Sequence, residues 1–202
     1  MVKRGVLHHI RKGTFKVDED ESYVPKIPST TRNIFHRLKV EFPLINLCVW
    51  NTAVLGEFMQ RQPDRPFVLV ETDQKTVEAV FRFLRRIKRF VFIESPNEVL
   101  EQYVVGKNEV FIVKPLVAEA PMQNVYGVET AGIEKMLVDV FCDDVIFPTQ
   151  QGEEMRNIFK EALAKYPVNQ NQMLHYADRR GKKEELTRFV KTVSASNGNH
   201  EP

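Results

Sequence analysis

The stretch FVLVETDQKTVEAVFRFLRRIKRFVFIE, residues 67–94, decides the fold. Its two ends, FVLVE (67–71) and FVFIE (90–94), are short runs of β-branched and aromatic residues. They are apolar at consecutive positions, as a strand buried on both faces requires. Between them Val77, Val80, Phe81 and Leu84 recur at the spacing of one helix face, and Thr72 or Asp73 stands where a helix cap is needed. Strand, helix and strand in this order predict a sheet with some parallel pairing and helices laid over it.

Upstream, Ser29-Thr30-Thr31 can cap a helix running to about Val40, with Ile34, Leu38 and Phe42 at helical spacing and Pro43 as its stop. LINLCVW (44–50) follows as a buried strand, and Thr52 to Gln60 as a short helix. Downstream, residues 96–104 predict a short helix and EVFIVK (109–114) a fourth strand. From residue 130 the pattern is helical. Thr130 is placed to cap a segment bearing Ile133, Met136, Leu137, Val140 and Phe141, and Pro148 to open one bearing Met155, Ile158, Phe159, Ala162, Leu163 and Tyr166. Two shorter helices, about 169–178 and 182–193, complete it, the last with Leu186, Phe189, Val190 and Val193. The fold class is therefore α/β, a mixed sheet of about four strands with flanking helices and a helical C-terminal part.

The first 18 residues predict a β-hairpin, with Val6, Leu7 and Ile10 before a turn at Arg11-Lys12-Gly13 and Phe15 and Val17 after it. The acidic run DEDE (18–21) and prolines 25 and 28 break regular structure. This divides the chain into 1–27, 28–193 and a polar tail, SASNGNHEP (194–202), expected to be disordered.

Composition narrows the function. With 43% apolar and 28% charged residues the chain can build a core, and a net charge of +2 does not mark a nucleic-acid binder by itself. Cys48 and Cys142 lie in apolar stretches with no CxxC partner or nearby histidine at ligand spacing, which excludes a zinc site and suits a reducing compartment. No segment has the length of a signal sequence core or a membrane span, so the expected location is the cytoplasm, with no membrane partner.

No complete catalytic set is found, and no cofactor motif. The G-x-S-x-G elbow, the phosphate-binding G-x-x-x-x-G-K-[ST] loop and the G-x-G-x-x-G loop are all missing. A restriction-endonuclease-like core is compatible with a mixed sheet behind a helix, but phosphodiester cleavage needs acids at adjacent strand ends and a lysine. The only [DE]-x-K is Asp73-Gln74-Lys75, with Glu71 nearby and Glu94 ending the next strand without its lysine. Asp73 serves equally as a helix cap, the commoner role.

Three basic clusters remain. Lys3, Arg4, His8, His9, Arg11 and Lys12 surround the hairpin turn, where a basic tip can reach a phosphate backbone and a solvated turn is the plain alternative. Arg82, Arg85, Arg86 and Arg89 follow i, i+3, i+4, i+7 spacing and make one face, suited to an acidic partner or simply to water. Arg179, Arg180, Lys182 and Lys183 bridge two helices, with the same pair of explanations.

Two stretches carry a resemblance. VKRGVLHHIRKGTF resembles the end of a winged helix running into its wing, and VETAGIEKMLVDVFCD (128–143) is similar to the T-x-x-x-E-[KR]-[TM]-L-[VI]-D helix of AbiEi-type antitoxins. Thr130, Glu134, Lys135, Met136, Leu137, Val138 and Asp139 supply the match. FPLINLCVWNT, FVLVE, KMLVDVFCDDVIF, QQGEEM and YADRRGKKEEL extend the likeness from about Tyr23 to Val193, to an uncharacterised bacterial family related to those antitoxins. The resemblance implies an autoregulatory repressor of a type IV toxin–antitoxin system, with an operator-binding winged helix, a non-catalytic α/β domain and a nucleotidyltransferase toxin in the same system. A winged helix has about three helices before its wing. Only a handful of residues precede this hairpin, so the resemblance implies a remnant of that domain.

Overall fold

A computed structural model describes residues 6–11, 14–18, 22–60, 66–93 and 109–197. Lys3, Arg4, Lys12, Glu94 and the helix expected at 96–104 lie outside the described residues.

The N-terminal hairpin is present. Strand β1 (Val6–Arg11) pairs antiparallel with β2 (Thr14–Asp18), from Val6 opposite Asp18 to Arg11 opposite Thr14, with an irregularity between His9 and Arg11. Arg11 is thus taken into the strand rather than the turn. An extended segment follows, in which Tyr23 and Pro25 are buried.

The main sheet has four strands in the order β3-β4-β6-β5. They are β3 (Leu47–Asn51), β4 (Phe67–Thr72), β5 (Val91–Ile93) and β6 (Val110–Pro115). β3 runs antiparallel to β4, whereas β4, β6 and β5 are mutually parallel. This is the mixed α/β sheet expected from the strand–helix–strand pattern. Alternation along each strand sorts its side chains between two cores. Leu47, Val49, Val68, Val70, Phe111 and Val113 meet helices α1 (Ser29–Glu41) and α2 (Val77–Arg85) through Ile34, Leu38, Val80 and Leu84. Cys48, Trp50, Leu69 and Ile112 face the opposite way, onto the C-terminal helices. Each large apolar side chain sealed in these layers contributes roughly 1.5–3 kcal/mol against conformational entropy.

Those helices are α3 (Ile133–Cys142), α4 (Glu153–Lys165), α5 (Gln170–Arg179) and α6 (Lys183–Asn197). The apolar stripes place them as expected: Met136, Leu137, Ile158, Phe159, Leu186 and Val190 all enter one core. α6 extends to Asn197, so the first residues of the expected tail are helical.

Local details differ from expectation for local reasons. Pro28, not the Ser29–Thr31 run, occupies the cap position of α1. The helix expected over 52–60 is a 3-10 segment, Thr52–Glu57, capped by the Asn51 side chain accepting from the Ala53 amide at 2.8 Å. Asp73 precedes a 3-10 turn (Gln74–Thr76) without capping it, because its carboxylate is engaged elsewhere. Pro148 opens another 3-10 turn, and α4 begins five residues later at Glu153.

The largest omission is a second hairpin, β7 (Met122–Val125) with β8 (Val128–Ala131). Tyr126 and Gly127 form its turn, both at positive φ (50° and 79°), the geometry a two-residue hairpin requires. Thr130 therefore lies in a strand, and Gly132 caps α3. A Cβ at Gly132 would sit 3.1 Å from the Pro121 carbonyl oxygen, to which the Gly132 amide donates at 2.9 Å. The close backbone approach is what asks for glycine there.

Candidate functional site

Strand alternation continues past the apolar residues with polar ones. After Leu69, the next side chain on the same face of β4 is Glu71, and the ladder sets Cys48 of β3 and Lys114 of β6 beside it. α3 faces this row with Lys135 and Asp139, one turn apart, and α5 with Tyr176 and Arg180, also one turn apart. Sheet, α3 and α5 thus each deliver charge to the same interior point.

Lys135 Nζ donates to both oxygens of Glu71, at 2.7 and 2.8 Å, and to Asp139 Oδ2. Trp50 Nε1 donates to Glu71 Oε1 at 2.9 Å. The other Asp139 oxygen accepts from Tyr176 OH at 3.0 Å and from Arg180 Nη1 at 2.8 Å. Lys114 Nζ donates to Asp143 Oδ2 at 2.8 Å, while Asp143 Oδ1 accepts the Ile146 amide at 3.1 Å. Trp50 and Tyr176 also place their rings 5.8 and 5.7 Å from the Lys135 ammonium. Three carboxylates (Glu71, Asp139, Asp143) meet three cations (Lys114, Lys135, Arg180), so charge balances inside the core. Lys135 is fully enclosed and Glu71 is 1% exposed.

Electrostatics follow from this arrangement. Burial alone would push the Lys135 ammonium toward neutrality, but Asp139 and Glu71 overcome it and hold the group above the usual lysine range. Burial would likewise raise the Asp139 carboxyl, yet Lys135, Lys114 and Arg180 hold it below the ordinary aspartate value. Burial, reinforced by Glu71, pushes the Cys48 thiol well up, and burial raises Cys142 to about 11, so neither is an activated nucleophile.

The Asp139 shift sets a pH dependence. A folded pKa below the unfolded one gives stability that is present above the unfolded value and lost as pH falls through the folded value. Thermal melting is therefore expected to shift downward steeply below the ordinary carboxylate range. Glu57 and Asp73, also held low, act in the same direction. The part due to the core is isolated by Asp139→Asn, whose melting temperature should depend less on pH there; an unchanged acid slope would remove Asp139 from the account.

Of the carboxylates considered for phosphodiester cleavage, Glu71 and Asp73 are each bonded to other groups. Both oxygens of Glu71 are spent on Lys135, and one also on Trp50. Asp73 instead accepts the Asn46 amide at 3.0 Å and its side-chain Nδ2 at 2.8 Å, while Lys75 is exposed. Among the described residues no group of three histidine, cysteine or acidic side chains is placed to hold a metal ion.

The basic clusters are distributed differently from their spacing. α2 ends at Arg85, so Arg86 and Arg89 lie beyond its last turn and the four arginines are not one helical face. Arg82 pairs with Glu78 at 2.8 Å and Arg86 with Glu41 at 3.5 Å. In the third cluster Arg180 turns inward to Asp139 and is only 15% exposed. Arg179 and His175 share Glu119, Lys182 pairs with Glu185 and Lys183 with Asp178. A shallow open groove passes Gly181, Lys182, Lys183 and Arg188 at this joint. At the hairpin, His8, His9 and Arg11 occupy successive register positions of β1.

Compared with known families, residues 1–196 match one described as a family of unknown function, DUF6577. The chain belongs to this family. No curated protein and no solved structure matches it. The sequence singles out Glu71 for phosphodiester chemistry, Lys135 and Asp139 within one motif and Arg180 within a basic run, and does not bring the three together. Lys114, Asp143, Trp50 and Tyr176 went unnoticed as polar partners. A charged residue ending each apolar strand, FVLVE and EVFIVK, and a Lys-x-x-x-Asp pair inside an apolar helix, were the available signals. Among the described residues no helix is long and apolar enough to cross a membrane.

Proposed function

We propose that this DUF6577 chain is an antitoxin-like transcriptional regulator, with a non-catalytic α/β domain and DNA contacts made by the N-terminal basic hairpin. The observation that carries the reading is the destination of the antitoxin-like motif. Its Lys135 and Asp139 are the hub of the buried ion network, not members of an open cleft. A motif retained for such a hub has a structural use in a domain that performs no chemistry. The Glu71 carboxylate supports the same side of the argument, because it already accepts three hydrogen bonds from Lys135 and Trp50 and is 1% exposed, so it is not open to a metal or a substrate.

The hairpin would act through phosphate contacts. Arg11 on β1 and Lys12 after it, with Lys3 and Arg4 before the strand, carry the charge, and a two-stranded ribbon can lie along a groove. Such contacts release counterions, so affinity should fall steeply with salt. An operator in the DNA preceding its own gene and a nucleotidyltransferase toxin in the same system are the partners this reading implies.

The test is fluorescence anisotropy with a duplex from immediately upstream of the coding sequence, titrated at several salt concentrations. Changing Arg11 and Lys12 together to Ala is expected to weaken binding and to flatten the logarithmic salt dependence by nearly two, about 0.9 per lost phosphate contact. Equal binding by the double variant would rule out the hairpin as the DNA contact. Absence of binding by the parent chain would remove the DNA part of the proposal.

A further inference from the structure

The most exposed apolar side chains of the α/β domain sit beside cations that the buried network does not use. Val40, in the last turn of α1, is 84% exposed, and Leu44, one turn of chain further on, is 96% exposed. Isolated surface apolar groups are ordinary, but Leu44 is held out by polar bonds. Lys39 Nζ donates to the carbonyl oxygens of Pro43, at 3.2 Å, and Ile45, at 3.0 Å, the residues on either side of Leu44. Immediately afterwards Asn46 is fixed through its amide and side chain to Asp73, and its carbonyl accepts from Thr72 Oγ1 at 3.0 Å. The turn is therefore clamped on both sides, with Leu44 presented as a rigid knob.

The neighbouring end of α2 is joined to this turn. Phe42 packs edge-on against Phe83, ring centroids 5.8 Å apart, and Glu41 pairs with Arg86. The Arg86 guanidinium lies over the Phe83 ring at 5.3 Å, and that of Arg89 over Phe90 at 5.2 Å. Stacking fixes these planar groups and leaves their edge donors for an anion. Arg85 Nη1 makes a long contact with the Arg89 carbonyl at 3.5 Å. Among the described residues neither Arg85 nor Arg89 has a carboxylate at ion-pair distance. Among the described residues Lys39, Arg85, Arg86 and Arg89 thus put four positive charges on this surface, against Glu41 and, at the Asn46 turn, Asp73.

We infer that this surface docks an acidic protein segment that carries an apolar side chain. Charge complementarity selects the acidic partner. The clamped Leu44 and the exposed Val40 distinguish a protein from nucleic acid, because a phosphate backbone would reward the arginines and leave the two apolar groups in water. The apolar pair is too small to hold a partner without its charged rim, so both chemistries are needed together. The inference is independent of the DNA contacts assigned to the hairpin, and the hairpin substitutions above leave it unaltered.

The test uses the full chain and a synthetic peptide of alternating glutamate and leucine, followed by backbone amide NMR shifts. Expected shifts are confined to residues 39–46 and 82–90. Leu44→Ser, and separately the pair Arg85→Glu with Arg89→Glu, should each weaken binding at least about tenfold, the equivalent of losing about 1.4 kcal/mol. All three positions are exposed, and unchanged melting temperatures confirm that the fold is intact. Four results overturn the inference. They are no binding of the peptide, equal binding of a glutamate–serine peptide, tighter binding of a DNA duplex at the same residues, and a dimer of the parent chain that Leu44→Ser dissociates. The last two reassign the surface to nucleic acid and to a second copy respectively.

Discussion

Replacing Lys135 with Met will cost about 3–5 kcal/mol of folding stability, the usual penalty when one partner of a buried ion pair is removed. The ammonium makes three hydrogen bonds in a space that water does not reach, to both oxygens of Glu71 and to Asp139. Methionine fills a similar volume, so packing changes little. Glu71 keeps only the Trp50 indole, and Asp139 keeps Tyr176 and Arg180. With domain stabilities of about 5–15 kcal/mol, the variant should approach the folding threshold. Urea denaturation followed by the fluorescence of Trp50, the only tryptophan and itself bonded to Glu71, reads the effect directly. A variant that also carries Glu71→Gln should recover part of the loss, because the carboxylate stranded by the lysine is then neutral while Asp139 still has Arg180. If Lys135→Met alone is as stable as the parent chain, the network does not hold the core together.

The second large effect is expected at Arg180. Arg180→Met removes a charge-assisted hydrogen bond to Asp139, worth about 1.5–3 kcal/mol. The partner is on α3, whereas Arg180 follows α5, so the bond joins the C-terminal helices to the rest of the core. Tyr176 OH provides the other polar tie from α5, and Leu186, Val190 and Val193 provide the apolar attachment of α6. The bond is lost both on partial opening of these helices and on global unfolding, so both free energies fall by this amount and the helices remain the easier part to open. Hydrogen exchange is expected to accelerate first in Gln170–Arg179 and Lys183–Asn197, with strands β3, β4 and β6 still protected. No acceleration in these two helices would argue against a latch at Arg180.

The sheet was legible because its evidence is local in sequence. FVLVE, FVFIE and EVFIVK are too short and too β-branched to be helices, and the Val77–Leu84 stripe lies between the first two. The order of strands was not legible, since nothing in FVFIE or EVFIVK states that β6 stands next to β4 and β5 outside it. The β7–β8 hairpin was hidden by its composition. Met122-Gln123-Asn124-Val125 has little β character, and its turn uses Tyr126-Gly127 in place of the commoner Asn-Gly. The ion network was hidden for a different reason. Glu71 and Lys135, Asp139 and Arg180, and Lys114 and Asp143 are separated by 64, 41 and 29 residues, and opposite charges at such distances become partners only once the sheet and helices have met. Arg180 shows the limit well. Its neighbours Arg179, Lys182 and Lys183 are at the surface, and spacing alone does not reveal that one member of a basic run turns inward.

The strand order β3-β4-β6-β5 also has a consequence for synthesis. On the ribosome β4 and β5 emerge first, and neither is the other's neighbour; the strand that belongs between them, β6, comes last. Until residue 115 has cleared the exit tunnel, the nascent chain holds two apolar strands whose facing edges have no mate. Such edges invite pairing with each other in a wrong register, or with another chain. A stop codon anywhere between β5 and the end of β6 would leave a fragment with an incomplete sheet, prone to aggregation. Translation pausing before β6 has left the tunnel should therefore lower soluble yield more than pausing after residue 115 has emerged.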